Sequence, residues 1–239
     1  MTELLYQTDS YLKEFQASVI AVDEANHALL LDHTAFYPGG GGQPADSGLL
    51  EWQTAQLPVE RARKAAEGIW HVLAAGAVLP PPGAVVTGKI DWPHRYALMR
   101  THTAMHILCG VVFRDFGALV TGGDMEPLHG RMDFEFESLT KDLVSVIEAA
   151  VNREVEAARS VRVAILPRAE ALQIPDLIRT KINLLPPEIS HIRTIELAGL
   201  DLQADGGTHV HNTSEVGRMR VVDYKSKGRI NKRIYVELD

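Results

Sequence analysis

Residues 95–116, RYALMRTHTAMHILCGVVFRDF, are apolar on almost every side. A helix that is hydrophobic all round cannot lie on a surface; other elements must wrap it. This one segment therefore predicts a central helix with the rest of a domain built around it. Within it, His102 and His106 are four residues apart, so they lie one above the other on the same helix face. Two imidazoles set among Leu98, Met99, Ala104, Met105, Ile107, Leu108, Val111 and Val112 have two readings. They are an ordinary pair of packed histidines, or they are half of a metal site whose other ligands come from elsewhere in the chain.

The signals before the helix are short strands separated by turns. SVIAVDE (18–24) and HALLLDHT (27–34) alternate well enough to pair as a hairpin around Ala25-Asn26, and GIWHVLA (68–74) and AVVTGKIDW (84–92) follow. Short strands at this spacing predict a small barrel or sandwich. The hydrophobic period changes near Trp92-Pro93, which divides the chain into an expected β-barrel domain over 1–92 and a second domain over 93–239. In the second, TGGDMEPLHG reads as a loop and RMDFEF (131–136) as a strand. A helix is expected over 139–159, with Ser138 as its cap and Leu143, Val144, Ile147, Ala150, Val151 and Val155 on one stripe. VRVAILP (161–167), HIRTIEL (191–197), VGRMRVVDY (216–224) and INKRIYVEL (230–238) read as strands, the last two as a hairpin across a basic turn. Helices packed on an antiparallel sheet make this half α+β.

Composition removes several function classes. With 46% hydrophobic residues in 239, the chain can bury a good core. No run approaches about eighteen uninterrupted apolar residues, so no membrane partner is expected. The opening MTELLYQTDSYLKEF carries acids and lacks the apolar centre of a secretory signal. A lone cysteine, Cys109, fits a reducing cytoplasm. The net charge of −7 argues against DNA or other nucleic acid held by overall charge. A local basic patch nevertheless exists in KSKGRINKR (225–233), with Lys225, Lys227 and Arg229 at its tip.

Further ligand types recur in DLQADGGTHVHNTSEVG (201–217). Asp205 and His209 flank Gly206-Gly207, whose freedom lets the chain turn so that both side chains face one way. Two ligands from a helix and two from a loop about a hundred residues later is a common way to assemble a first-row metal site. Neutral imidazoles suit Zn²⁺, Fe²⁺ or Co²⁺, and three histidines with a carboxylate or water complete a tetrahedron. The residue after the first histidine is Thr103, where a zinc protease of the H-E-x-x-H kind has its general-base glutamate. Gly39–Gly42 could cradle a phosphate, but they lack a P-loop's lysine and the spacing of a dinucleotide fingerprint. A loop between barrel strands is the simpler reading. Asp91, Arg95 and Arg100 flank the helix start and face either phosphate or surface ion-pair partners.

These stretches together resemble a known family. WPHRYALMRTHTAMHIL is similar to the start of the editing domain of alanyl-tRNA synthetase, and GGTHVHNTSEVG and YKSKGRINKRIYVEL resemble its second metal motif and basic hairpin. FYPGGGGQPADSG (36–48) resembles the small barrel preceding that domain in stand-alone editing proteins of the AlaX type. The resemblance runs from about residue 18 to the end. It implies a trans-editing hydrolase of protein biosynthesis that deacylates tRNA(Ala) mischarged with serine or glycine. It implies Zn²⁺ held by His102, His106, His209 and Asp205, the three histidines being the catalytic centre. Thr103, Thr121 and Gln43 are then candidates to read the serine hydroxyl, with Gly41 and Gly42 near the amino acid. Arg100, Lys225, Lys227 and Arg229 are candidates to hold the tRNA. One departure stands out: the family's second motif usually reads Cys-Gly-Gly-Thr-His, and Asp205 replaces the cysteine. Asp205 is then a ligand, or it stands behind one with water in the fourth place. Two other readings remain open: an editing hydrolase of the threonyl type, and a metal-stabilised tRNA-binding module without catalysis.

Overall fold

A computed structural model of the chain describes residues 2–180, 185–187 and 189–239, so the nominal start of the first domain, Met1, lies outside the described residues. The fold is α+β, in two compact units, Met1–Ala97 and Leu98–Asp239.

The first unit contains β1 (Glu3–Leu4), β2 (Glu14–Asp23), β3 (Ala28–Leu31), β4 (His33–Thr34), β5 (Gly48–Trp52), β6 (Ala55–Lys64), β7 (Ile69–Leu73) and β8 (Val85–Ile90). Six of these close a barrel in the order β2-β3-β7-β6-β5-β8, which leaves no open sheet edge. Alternate residues fill its interior, among them Phe15, Leu29, Leu31, Leu50, Leu57 and Ile69. Gly88 makes room for that filling: a Cβ there would fall 2.5 Å from the Phe15 ring. The hairpin expected at 18–34 forms, but it breaks at Asp32, and His33–Thr34 leave to pair in parallel with Glu3–Leu4. Two barrel strands, β5 and β6, escape a reading by pattern. In β6, charged Glu60, Arg61, Arg63 and Lys64 surround the inward Ala62 and mask the alternation.

The second unit begins inside α1 (Trp92–Phe116) and continues through β9 (Val120–Glu126), β10 (His129–Glu135), α2 (Lys141–Glu156), β11 (Val161–Pro167), β12 (His191–Leu197), β13 (Asp201–Ala204), β14 (Met219–Ser226) and β15 (Asn231–Leu238). Every residue of α1 from Thr101 to Val112 is buried, as its all-round apolarity requires. Two antiparallel sheets accompany it, β14-β15-β10-β9 and β11-β12-β13. The helix meets both at glycines. A Cβ on Gly130 of β10 would fall 2.6 Å from Met105 Sδ, and one on Gly110 would fall 3.0 Å from Leu200 and Asp201 at the start of β13.

Two local expectations are corrected. TGGDMEPLHG is not a loop: Val120–Glu126 and His129–Glu135 pair through it as a tight hairpin. Its glycines and acids hid a strand whose one face is solvent-exposed. The cap of α2 is Thr140, not Ser138; the Thr140 hydroxyl accepts from the Leu143 N–H at 3.2 Å. No helix among the described residues is long and apolar enough to cross a membrane.

Candidate metal centre

Four side chains converge in the second unit. His102 and His106 project from α1, and Asp205 and His209 from the loop that follows β13; one donor atom from each lies within 4.8 Å of the others. Asp205 Oδ2 is 3.5 Å from His102 Nε2 and 3.9 Å from His106 Nε2, and Asp205 Oδ1 is 3.0 Å from His209 Nε2. The imidazole centroids are 4.3–5.2 Å apart, and all three histidines are buried.

Local chemistry sets the loop. The Gly207 N–H donates to Asp205 Oδ1 at 2.6 Å, an Asx-type turn that the two glycines permit. The backbone of Asp205 is tied to β12, its N–H donating to the Arg193 carbonyl at 3.1 Å and its carbonyl accepting from Arg193 Nη1 at 3.0 Å. Thr103 fastens the loop to the helix: its hydroxyl accepts from the Val210 N–H at 3.2 Å and lies 3.3 Å from His209 Nδ1.

The electrostatics are those of a group built around a shared charge. Burial opposes protonation of His106, but the carboxylates of Asp201 and Asp205 outweigh it and raise that residue to about 9. Burial, and the charges of His102 and His106, hold His209 well below its ordinary 6.5. Asp205 stays ionised despite its burial, because His102, His106 and His209 surround it.

The donor set fits a divalent ion. In a tetrahedral site with bonds of about 2.0–2.1 Å, neighbouring donors sit roughly 3.3 Å apart. The Asp205 contacts of 3.0, 3.5 and 3.9 Å bracket that value, while the widest pairs, at up to 4.8 Å, would draw in around an ion. Three imidazoles and one carboxylate suit Zn²⁺, Fe²⁺ or Co²⁺. Ligation requires neutral imidazoles, so loading would release the proton that the carboxylates hold on His106. An ion held there by His102, His106, His209 and Asp205 would, with a fifth or exchangeable position, activate a water or polarise a carbonyl at neutral pH.

The other sequence-derived candidates take varied positions. Gly41, Gly42 and Gln43 belong to the first unit, in the loop between β4 and β5. Gly40 and Gln43 exchange backbone hydrogen bonds of 3.0 Å, and the Tyr37 hydroxyl donates to the Gly40 carbonyl at 2.9 Å. Gly39–Gly42 all have positive φ, a conformation that glycine adopts without strain. Thr121 is exposed on β9 and donates to Asn231 Oδ1 at 3.0 Å. Arg100 donates to the Val216 carbonyl at 2.8 Å and to the Asp239 carbonyl, so it anchors the C-terminal backbone. Lys225, Lys227 and Arg229 are exposed at the β14–β15 turn. Arg95 faces neither phosphate nor the surface: it is fully buried, in a bidentate pair with Asp46. Asp201, buried beside His106, escaped the sequence reading. The one available signal was the alternation Asp201, Gln203, Asp205, which places three polar side chains on one face of a strand entering the site.

The fold and centre define a β-barrel unit joined to an α+β unit with a three-histidine, one-carboxylate cluster. Residues 6–94 match the family described as tRNA synthetases class II (A), and residues 192–235 match the threonyl and alanyl tRNA synthetase second additional domain. Over 237 residues the chain is 39% identical to the alanyl-tRNA editing protein AlaX-M of Saccharolobus solfataricus, covering 98% of each. It is 36% identical to the AlaX-M protein of Methanosarcina mazei, over the whole chain and 97% of that relative. Similarity extends to the alanine–tRNA ligase of Ignicoccus hospitalis, at 37% identity over 92% of this chain and 24% of the ligase. The chain belongs to the AlaX-M family of alanyl-tRNA editing proteins.

Proposed function

We propose that the chain is a hydrolase that deacylates tRNA(Ala) mischarged with serine or glycine, with one Zn²⁺ held by His102, His106, His209 and Asp205. The observation that carries this reading is the convergence of those four side chains within 4.8 Å on a buried helix and a glycine turn. Family membership supplies the tRNA. An aminoacyl ester is already reactive, so the site has mainly to position it and bring water to it. A pocket sized for alanine rejects a residue one small group different by only about 1–3 kcal/mol, and a second, hydrolytic site answers that need.

Such a site must read the serine hydroxyl. Thr103 is the residue best placed to do so. With His209 Nε2 turned to the cluster, its Nδ1–H donates to the Thr103 oxygen, which also accepts from Val210. Both lone pairs are then used and the hydroxyl proton can be donated to an incoming hydroxyl group. Residues 1–92, with Gly41, Gly42 and Gln43, would act as an accessory barrel domain and 93–239 as the editing domain. The exposed Lys225, Lys227 and Arg229, with Arg100 nearer the helix start, would face the tRNA backbone.

The test is deacylation of Ser-tRNA(Ala) and Gly-tRNA(Ala), with Ala-tRNA(Ala) and Ser-tRNA(Thr) as controls. Hydrolysis of the first two alone supports the proposal. Preferential hydrolysis of Ser-tRNA(Thr) would make the chain a threonyl-type editor, and binding without hydrolysis would make it a tRNA-binding module.

A further inference from the structure

Asp201 has a place in the centre that the ligand set does not describe. It is fully buried at its side chain, and its Oδ2 lies 3.5 Å from His106 Nδ1, the ring nitrogen turned away from Asp205. Its other oxygen accepts from Arg179 Nε at 3.2 Å, and Gln203 donates to Oδ2. Gln203 Nε2 also lies 3.5 Å from His106 Nδ1, but an amide N–H can bond that nitrogen only if the ring carries its proton on Nε2. Ligation through Nε2 forbids this tautomer. With Nδ1 protonated, the ring donates to Asp201, and the amide is left to orient the carboxylate.

Gly110 explains how Asp201 comes so close. It lies on α1 one turn beyond His106, and a Cβ there would fall 3.0 Å from the Asp201 Cβ and 3.0 Å from Leu200 Cγ. A glycine inside a helix costs about 0.5–1 kcal/mol relative to alanine. Here it lets the start of β13 lie directly against the helix.

We propose that Asp201 is a positioning residue for the metal centre: held by Arg179 and Gln203 and admitted by Gly110, it fixes His106 with Nε2 toward the other three ligands. The inference rests on the metal reading given above and extends it to residues outside the ligand set. Carboxylates behind metal-bound histidines typically contribute 10–100-fold to affinity.

The experiment strips the full chain of metal and measures Zn²⁺ affinity by competition with a chromophoric chelator, without tRNA. Asp201→Asn should bind Zn²⁺ about 10–100-fold more weakly than wild type, and the ring ¹⁵N spectrum of the loaded variant should lose the downfield Nδ1–H resonance of His106. Zinc affinity and ring spectrum equal to wild type would overturn the proposal. Should Asp201→Asn not fold, Gly110→Ala serves in its place, since it favours the helix while pushing β13 outward; it should weaken Zn²⁺ binding, and unchanged affinity would equally overturn the proposal. A wild-type chain that binds no Zn²⁺ would overturn the metal reading and this inference together. One that binds Zn²⁺ tightly but deacylates nothing would sink only the catalytic reading.

Discussion

Thr103 Oγ1 stands 3.3 Å from His209 Nδ1 and 3.2 Å from the Val210 nitrogen, so the neighbour of His102 on α1 fixes the loop that carries His209. Thr103→Val keeps the shape and removes the oxygen. The buried Val210 N–H would lose its acceptor, which costs about 1–3 kcal/mol. Urea denaturation should show that loss, and the ratio of Ser-tRNA(Ala) to Ala-tRNA(Ala) hydrolysis should fall. Thr103→Ser should restore both.

The carboxylate at Asp205, where the motif it resembles has a cysteine, has its own consequences. Thiolate is the better partner for borderline-soft Zn²⁺, so Asp205→Cys should tighten zinc binding. Because thiolate also donates more charge, deacylation should slow. If Asp205 instead stands behind the ligands, Asp205→Asn should keep the metal and lose about 10–100-fold in rate. Metal content and deacylation rate, measured for both variants, separate the cases.

The basic turn should carry a salt signature. Lys225 pairs with Asp223 at 2.9 Å, but both are exposed, and such pairs are worth little, so the lysine remains available to phosphate. Replacing Lys225, Lys227 and Arg229 by alanine should weaken tRNA binding. It should also flatten the salt dependence by about one unit of slope for each phosphate that is no longer neutralised. Filter binding over a salt series reads both. An unchanged slope would place the tRNA elsewhere.

His71 should make the barrel unit acid-sensitive. It is fully buried, with Nε2 2.8 Å from Thr34 Oγ1 and Nδ1 3.2 Å from the Leu29 carbonyl. Burial lowers it from 6.5 to about 4. Below 6.5 the unfolded chain binds a proton that the folded chain refuses, so stability falls as pH drops from 6.5 toward 4, by at most about 3 kcal/mol. Urea midpoints taken across that range should decline in wild type, and the decline should be shallower in His71→Gln.

How much was legible in the sequence follows from how local each signal was. The buried helix could be read because apolar residues fall on almost every side of it between Leu98 and Val112, and the pairing of His102 with His106 because helical periodicity is strict. The joining of Asp205 and His209 to them needed only a glycine turn and the resemblance. Strand β9 was hidden because Gly122, Gly123 and Asp124 are poor strand formers, carried there by the pairing with β10. Arg95 misled for a different reason. An arginine beside Trp92-Pro93 reads as surface, and nothing local announces that Asp46, with the Ser10 and Ala35 carbonyls, will enclose it. Asp201 was missed because its closeness to His106 depends on Gly110, the glycine opposite it on another element.

The central claim is that His102, His106, His209 and Asp205 form one metal centre, and bound-metal stoichiometry tests it most directly. Purified wild-type chain, analysed by elemental mass spectrometry, should carry about one divalent ion per chain, expected to be zinc, because three imidazoles and a carboxylate converge within 4.8 Å of one another. His106→Ala should carry little or none. A wild type without metal, or a His106→Ala variant as fully loaded as wild type, would contradict the account.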